Sequence, residues 1–313
     1  KWMNDYYLLI LLVFFSCSTE NKTIFGGKIL NPTSDNIILY KSEVQLNESV
    51  IDENGNFKII LDSIKAGLYS FFHEPEFQYL ILDKNDSLIV RLNTLDFDES
   101  LVYSGVGSAK NNFLMDIFLR NEQHNDILNL NLNNTLIKFK KLSDSLNNSQ
   151  SLLYSKFLSD NEVSRITNKI IQSAILYPYL AKFHSYIIRN NINNIDQSIL
   201  FKNYEDFISY NEDYLAYFKP YIDFLYLHIY NEVKNSYSYD SMLDFNLIRL
   251  KQTDKLVQSP IIKSRVLRFH AIGYLLQREK DSLNKLFLDR FMKVSKNKLL
   301  NMEINSLYLE LKN

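Results

Sequence analysis

Short apolar or alternating runs recur through the first third of the chain. They lie at Ile24–Leu30, Ile37–Lys41, Phe57–Leu61, Gly67–Phe72, Phe77–Leu82 and Leu88–Leu92. A period of two sends alternate side chains to opposite faces, the pattern of a half-buried strand. Turn-forming runs separate the segments: Asn31-Pro32-Thr33-Ser34-Asp35, Asp52-Glu53-Asn54-Gly55-Asn56 and Asp83-Lys84-Asn85-Asp86. Short strands at this spacing predict an antiparallel sandwich. Leu101-Val102-Tyr103 reads as its last strand, ended by Gly105 and Gly107.

From Ser108 the period changes. Ser108 reads as an N-cap, with Phe113, Leu114, Ile117 and Phe118 on one helical face behind it. Leu132, Leu136, Phe139 and Leu146 follow at helical spacing, as do Val163, Ile166, Ile170 and Ala174, and finally Ile304, Leu307 and Leu311. Further helices are expected to start around Pro178, Pro220 and Pro260, the last with Ser259 as N-cap and proline at the first helical position. The three prolines stand about 40 residues apart, a helical-repeat spacing. The residues around them do not repeat: Tyr177-Pro178-Tyr179, Lys219-Pro220-Tyr221 and Ser259-Pro260-Ile261 share little. Glycine usage agrees with the change of period, since six of the 7 glycines precede residue 108 and only Gly273 follows. The expected fold class is α+β: an N-terminal antiparallel β-sandwich over residues 23–107, then an all-α helical domain over 108–313.

The N-terminus carries a different signal. An apolar run from Tyr6 to Phe15 ends at Ser16-Cys17. A membrane-spanning helix needs ~20 apolar residues, so this shorter run has the size of a signal-peptide core. Phe14-Phe15-Ser16-Cys17 resembles a bacterial lipobox, in which a small residue precedes the cysteine that is exposed by cleavage and acylated through its thiol. Residues 1–17 are therefore read as signal peptide and lipobox, residues 18–22 as a short tether, and Cys17 as the lipid-attachment site. Such a protein sits in the cell envelope, and Ser18 after the cysteine points to the periplasmic face of the outer membrane.

Composition narrows the function classes. Cys17 is the only cysteine, so once it is acylated no disulfide and no free thiol remain. The formal net charge of -1 gives no basic face for nucleic acid, and no polybasic patch reads as a site for anionic lipid. His73, His124, His184, His228 and His270 form no metal-ligand spacing, although His184, His228 and His270 each follow one of the prolines. There is no G-x-S-x-G elbow, no S-x-x-K and no cysteine paired with histidine. Gly105-Val106-Gly107 precedes a helix but lacks the glycine and lysine of a phosphate-binding loop. No catalytic residue, cofactor or metal site is assigned. Aromatic residues are abundant, and Tyr217, Tyr221 and Phe224 are the candidate surface for a peptide, a glycan or a protein partner.

The order of parts resembles the N-terminal region of TlpA-like, thioredoxin-family lipoproteins of Bacteroidota. The residues that carry the resemblance are Gly27-Lys28-Ile29-Leu30-Asn31, Asp52-Glu53-Asn54-Gly55-Asn56-Phe57, Ala66-Gly67-Leu68-Tyr69 and Leu80-Ile81-Leu82-Asp83-Lys84-Asn85-Asp86-Ser87-Leu88. The most specific stretch is Tyr103-Ser104-Gly105-Val106-Gly107-Ser108-Ala109-Lys110-Asn111-Asn112-Phe113-Leu114. The resemblance covers residues 23–120 closely and the remainder only by helical character. It implies thiol–disulfide exchange through a W-C-x-x-C motif in a thioredoxin domain after the helical region. An exchange needs an attacking thiolate and a resolving thiol, which an acylated Cys17 cannot supply. The expectation is an accessory, tethering region whose redox domain lies outside these residues or is lacking. The alternative is a stand-alone periplasmic lipoprotein that binds a peptide, glycan or protein partner.

Overall fold

The computed structural model describes residues 22–192, 204, 208–277 and 279–312. The signal segment, Cys17 and nearly all of the tether lie outside the described residues.

Eight strands precede the long helices: β1 (Thr23–Leu30), β2 (Asn36–Lys41), β3 (Val44–Val50), β4 (Asn56–Leu61), β5 (Gly67–His73), β6 (Glu76–Leu82), β7 (Ser87–Asn93) and β8 (Val102–Val106). They form two four-stranded sheets, ordered β4-β1-β7-β8 and β3-β2-β5-β6. All pairings are antiparallel except β1 with β7, which run parallel in the register Phe25↔Leu88 and Gly27↔Val90. The α+β layout, a sandwich and then helices, is the one expected from the sequence. One strand was not legible: β3, Val44–Val50, is an edge strand with no buried residue, so it has no apolar face to mark it. Between the sheets Phe25, Leu88 and Val90 meet Phe71, Leu80 and Leu82, with Phe25 placed 5.3 Å from Phe57 and 5.4 Å from Phe71.

The second sheet is covered on both faces. Tyr69 and Phe71 of β5 point into the sandwich, while Leu68 of β5 and Ile81 of β6 join the core of the helical part. A short turn of helix, α1 (Phe97–Ser100), leads into β8. Eight longer helices follow among the described residues: α2 (Ser108–Leu130), α3 (Leu136–Asp160), α4 (Arg165–Arg189), α5 (Lys219–Ser236), α6 (Met242–Leu256), α7 (Pro260–Leu275), α8 (Asp281–Ser295) and α9 (Lys298–Lys312). The last four close a separate core around Leu267, Tyr274, Phe287, Phe291 and Ile304. No helix among the described residues is long and apolar enough to cross a membrane.

Helix starts depart from the sequence reading in two places. Ser108 is the first residue of α2 and not its cap. Gly107 takes the cap position at φ 95°, where a Cβ would stand 2.7 Å from the Asp86 carboxylate. Pro178 does not open a helix but sits inside α4. Proline has no N–H, so the carbonyl one turn before it, Ala174 O, loses its helical donor. Asn121 of α2 supplies a substitute, its Nδ2 donating to Ala174 O at 3.0 Å. Pro220 and Pro260 do open α5 and α7, and Ser259 accepts the cap bond from Ile262 N at 3.3 Å.

Three consecutive residues of α2 fix the helices to the sandwich. Lys110 Nζ reaches Asp83 Oδ2 at 2.6 Å and Asp86 Oδ2 at 2.7 Å. Asn111 Oδ1 accepts from Ile81 N at 2.7 Å while its Nδ2 donates to Ile81 O at 2.8 Å, which seals the open edge of β6. Asn112 does the same for β8, with Tyr103 N at 2.8 Å and Tyr103 O at 2.9 Å. One helical turn thus closes one edge of each sheet. Asp83 also accepts from Ser164 Oγ at 2.9 Å and Thr167 Oγ1 at 3.1 Å, which ties in the start of α4.

Candidate functional groove

A groove of about 840 Å³ crosses α4 where the helices meet the second sheet. Pro178, Lys182 and Ser185 present α4 to it, and β6 contributes Phe77 and Tyr79. Asn121 and His124 of α2 and Asp223, Tyr226 and Leu227 of α5 form its flanks. Tyr79 stitches β6 to the start of α5: its hydroxyl donates to Tyr217 O at 2.9 Å and accepts from Lys219 N at 3.1 Å.

The aromatic surface expected at Tyr217, Tyr221 and Phe224 does not exist as such. Tyr221 and Phe224 are 0% exposed and belong to the helical core, where both rings pack on Tyr177. Tyr217 is half-buried beneath the Arg265 guanidinium, 4.9 Å from its ring centre. The helix that starts here does border the groove, but through its other face, at Asp223, Tyr226 and Leu227. Helical periodicity explains the difference, since residues one and two positions apart do not share a face.

The polar part of the groove comes from α3. Ser143, Asn147 and Gln150 share one face at i, i+4 and i+7 and are 1%, 6% and 1% exposed. Gln150 Nε2 lies 3.0 Å from Asn121 Oδ1 and 3.3 Å from His124 Nδ1, extending the network that begins at the proline-freed carbonyl of Ala174. Burial, and then Arg120, push the His124 pKa down. Asn147 Nδ2 donates to Tyr204 at 3.3 Å, but Asn147 Oδ1 and Ser143 Oγ have no hydrogen-bond partner among the described residues. A helical serine usually bonds back to a carbonyl one turn earlier, and Ser143 does not. Buried polar atoms of this kind take a partner from water or from a ligand, and these two stand on the groove wall.

Lys182 projects from the neighbouring turn of α4. Its Nζ donates to Asn125 Oδ1 at 2.8 Å and to Asn129 Oδ1 at 2.5 Å, and no ion pair to it exists among the described residues. Burial, and then Arg189, lower its pKa, and Asp126 offsets them only in part. The other groove lysine, Lys219, is already paired with Asp223.

A second polar cluster lies inside the helical core, where two of the three histidines set apart in the sequence meet. His184 Nε2 is 3.1 Å from His228 Nδ1, and Asn231 Nδ2 lies 2.9 Å from His184 Nδ1 and 3.0 Å from His184 O. The amide can serve both atoms only by donating, which leaves Nδ1 unprotonated and places the His184 proton on Nε2, toward His228. His228 then donates through Nε2 to Tyr210 OH at 2.7 Å. His270 stands apart on Asn246 Oδ1 at 2.9 Å. Burial, and then His228, hold His184 well below the ordinary histidine range, and burial brings His228 down to about 4. Both folded values are depressed, so their contribution to stability is present above the unfolded value of ~6.5 and is lost as pH falls toward 4. Thermal unfolding between pH 7 and 4 should lose roughly 3 kcal/mol to His228 alone, and His184 adds to that loss. The variant His228→Gln should flatten that decline, and an unchanged slope would contradict the assignment.

No group of three His, Cys, Asp or Glu side chains among the described residues is placed to hold a metal ion. Neither protein-family models, nor curated proteins, nor solved structures give a match to this chain.

Proposed function

We propose that this chain is a non-catalytic binding module of the cell envelope, tethered by lipid at Cys17 to the periplasmic face of the outer membrane. The groove on α4 is its ligand site, and the sandwich is the base that carries the groove. The observation that supports this most is the pair of unpartnered buried atoms, Ser143 Oγ and Asn147 Oδ1, on the wall of an open groove of about 840 Å³. Pockets of ~300–1,000 Å³ that combine apolar walls with a few convergent polar groups are the usual form of a ligand site.

The order of parts also fits the accessory region of a TlpA-like redox lipoprotein. On that reading the groove holds a substrate or partner for a redox domain that these residues do not contain. The chemistry would belong to that domain, because no thiol follows Cys17 in the sequence.

Anchoring is tested by labelling cells with a fatty-acid probe. The wild-type chain should take up label and sediment with membranes, and Cys17→Ala should do neither. A mutant that keeps both would overturn the tether.

A further inference from the structure

Resting on the reading of the groove as a ligand site, we infer that its ligand is a peptide bearing a free carboxylate, which meets Lys182, while its backbone amides meet Ser143 and Asn147. Three features carry this. The first is a cation without a paired counter-charge: Lys182 Nζ bonds to the neutral oxygens of Asn125 and Asn129. A buried or half-buried ammonium gains most from a charge-assisted bond to a carboxylate, which a neutral oligosaccharide cannot offer.

The second feature is the pair of unpartnered atoms one helical turn apart on α3. Asn147 Oδ1 can only accept, and Ser143 Oγ has its proton to donate. In an extended peptide the N–H and C=O of one residue point to the same side and would match them. Ser143 also lies within about one helical turn of Lys182 along the bundle, because Asp144 of α3 accepts from Tyr179 of α4 and Phe139 packs against Phe183. The carboxylate and the amides of one short peptide would therefore reach all three residues.

The third feature is the mixed character of the rest of the groove. Phe77, 49% exposed beside Tyr79, and Pro178 and Leu227 offer apolar surface to side chains. Their alternation with amides suits an amino-acid chain more than a uniformly hydroxylated ligand.

The test is affinity selection with mass-spectrometric readout, on the full chain, from two pools of randomised heptapeptides: free acids and C-terminal amides. Chitohexaose and maltohexaose serve as oligosaccharide probes. Free acids should be retained about tenfold better than amides. Lys182→Gln keeps a donor for Asn125 and Asn129 and should erase that difference, and Lys182→Arg should restore part of it. Equal retention of both pools, undiminished selectivity in Lys182→Gln, or retention of oligosaccharide alone would each overturn the inference. Retention of nothing would overturn it too, yet would leave the groove open to a ligand of another class, which photo-crosslinking from groove positions in living cells detects separately.

Discussion

Lys110→Met is expected to destabilise the protein by about 3–5 kcal/mol, the cost of removing one partner from a buried ion cluster. Lys110 is 7% exposed and Asp86 4%, and the lysine is the cation that both Asp83 and Asp86 reach. Methionine fills similar space but leaves two carboxylates facing each other under Gly107. Burial already raises the Asp86 pKa, and the Asp83 N–H and Lys110 only partly offset it. A carboxylate with a raised folded pKa contributes stability that is fully present below its unfolded pKa and is lost as pH rises through the folded one. Without Lys110 the folded value climbs further, so the defect should be greatest at neutral pH and shrink toward pH 4. Adding Asp86→Asn to Lys110→Met should recover a large part of the loss, because the two sites share one interaction. Guanidinium unfolding of the two variants and the double variant measures this. A loss below about 1 kcal/mol for Lys110→Met would show that the cluster is solvated and not a joint.

Asn111→Ala should cost about 3 kcal/mol, and Asn112→Ala about 1. Both asparagines make the same two-bond closure of a sheet edge, so the difference isolates burial. Asn111 is 1% exposed and also donates to Gly107 O at 2.9 Å, whereas Asn112 is only half-buried and water can replace it. Truncating Asn111 orphans the N–H and C=O of Ile81 in a closed space. Asn111→Asp keeps the bond to Ile81 N but turns an oxygen toward the carbonyls of Ile81 and Gly107, so it should be no better than alanine. Amide hydrogen exchange at Ile81 gives a local check: protection should fall in Asn111→Ala and stay near wild type in Asn112→Ala. Equal losses in the two variants would mean that sealing the edges contributes through something other than buried backbone.

The parts of this fold that bury an apolar face were legible in the sequence, and those that do not were hidden. Phe57 and Ile59, and Leu88, Val90 and Leu92, recur at every second position, and with Phe25 and Ile29 they all lie between the sheets. β3 alternates as well, but with no core on either side it reads as a loop. Pro178 reads as a helix start because a proline normally breaks the hydrogen-bond ladder. The residue that compensates, Asn121, is far away in sequence and gives no local sign. The stretch from Tyr103 to Leu114 is distinctive as a sequence, yet nothing in it tells that Lys110 bonds to Asp83 and Asp86, Asn111 to Ile81 and Asn112 to Tyr103. The groove was the least legible part. Its polar wall was open to discovery as a stripe, Ser143, Asn147 and Gln150, on a helix whose neighbouring positions Phe139 and Leu146 are apolar. The aromatic residues of α5 point to the right helix and the wrong face, because ring count does not reveal which side of a helix is covered.

The most direct test of the binding reading works whatever the ligand is. A photo-crosslinking amino acid is placed at Ser185 or Leu119, on the groove, and at Leu152 or Leu299, which are 72% and 79% exposed elsewhere on the helices. After irradiation of living cells, covalent adducts are resolved by mass spectrometry. Discrete adducts at the two groove positions, with only background at the two control positions, are the predicted result. Adducts no more frequent in the groove than at Leu152 and Leu299 would contradict it.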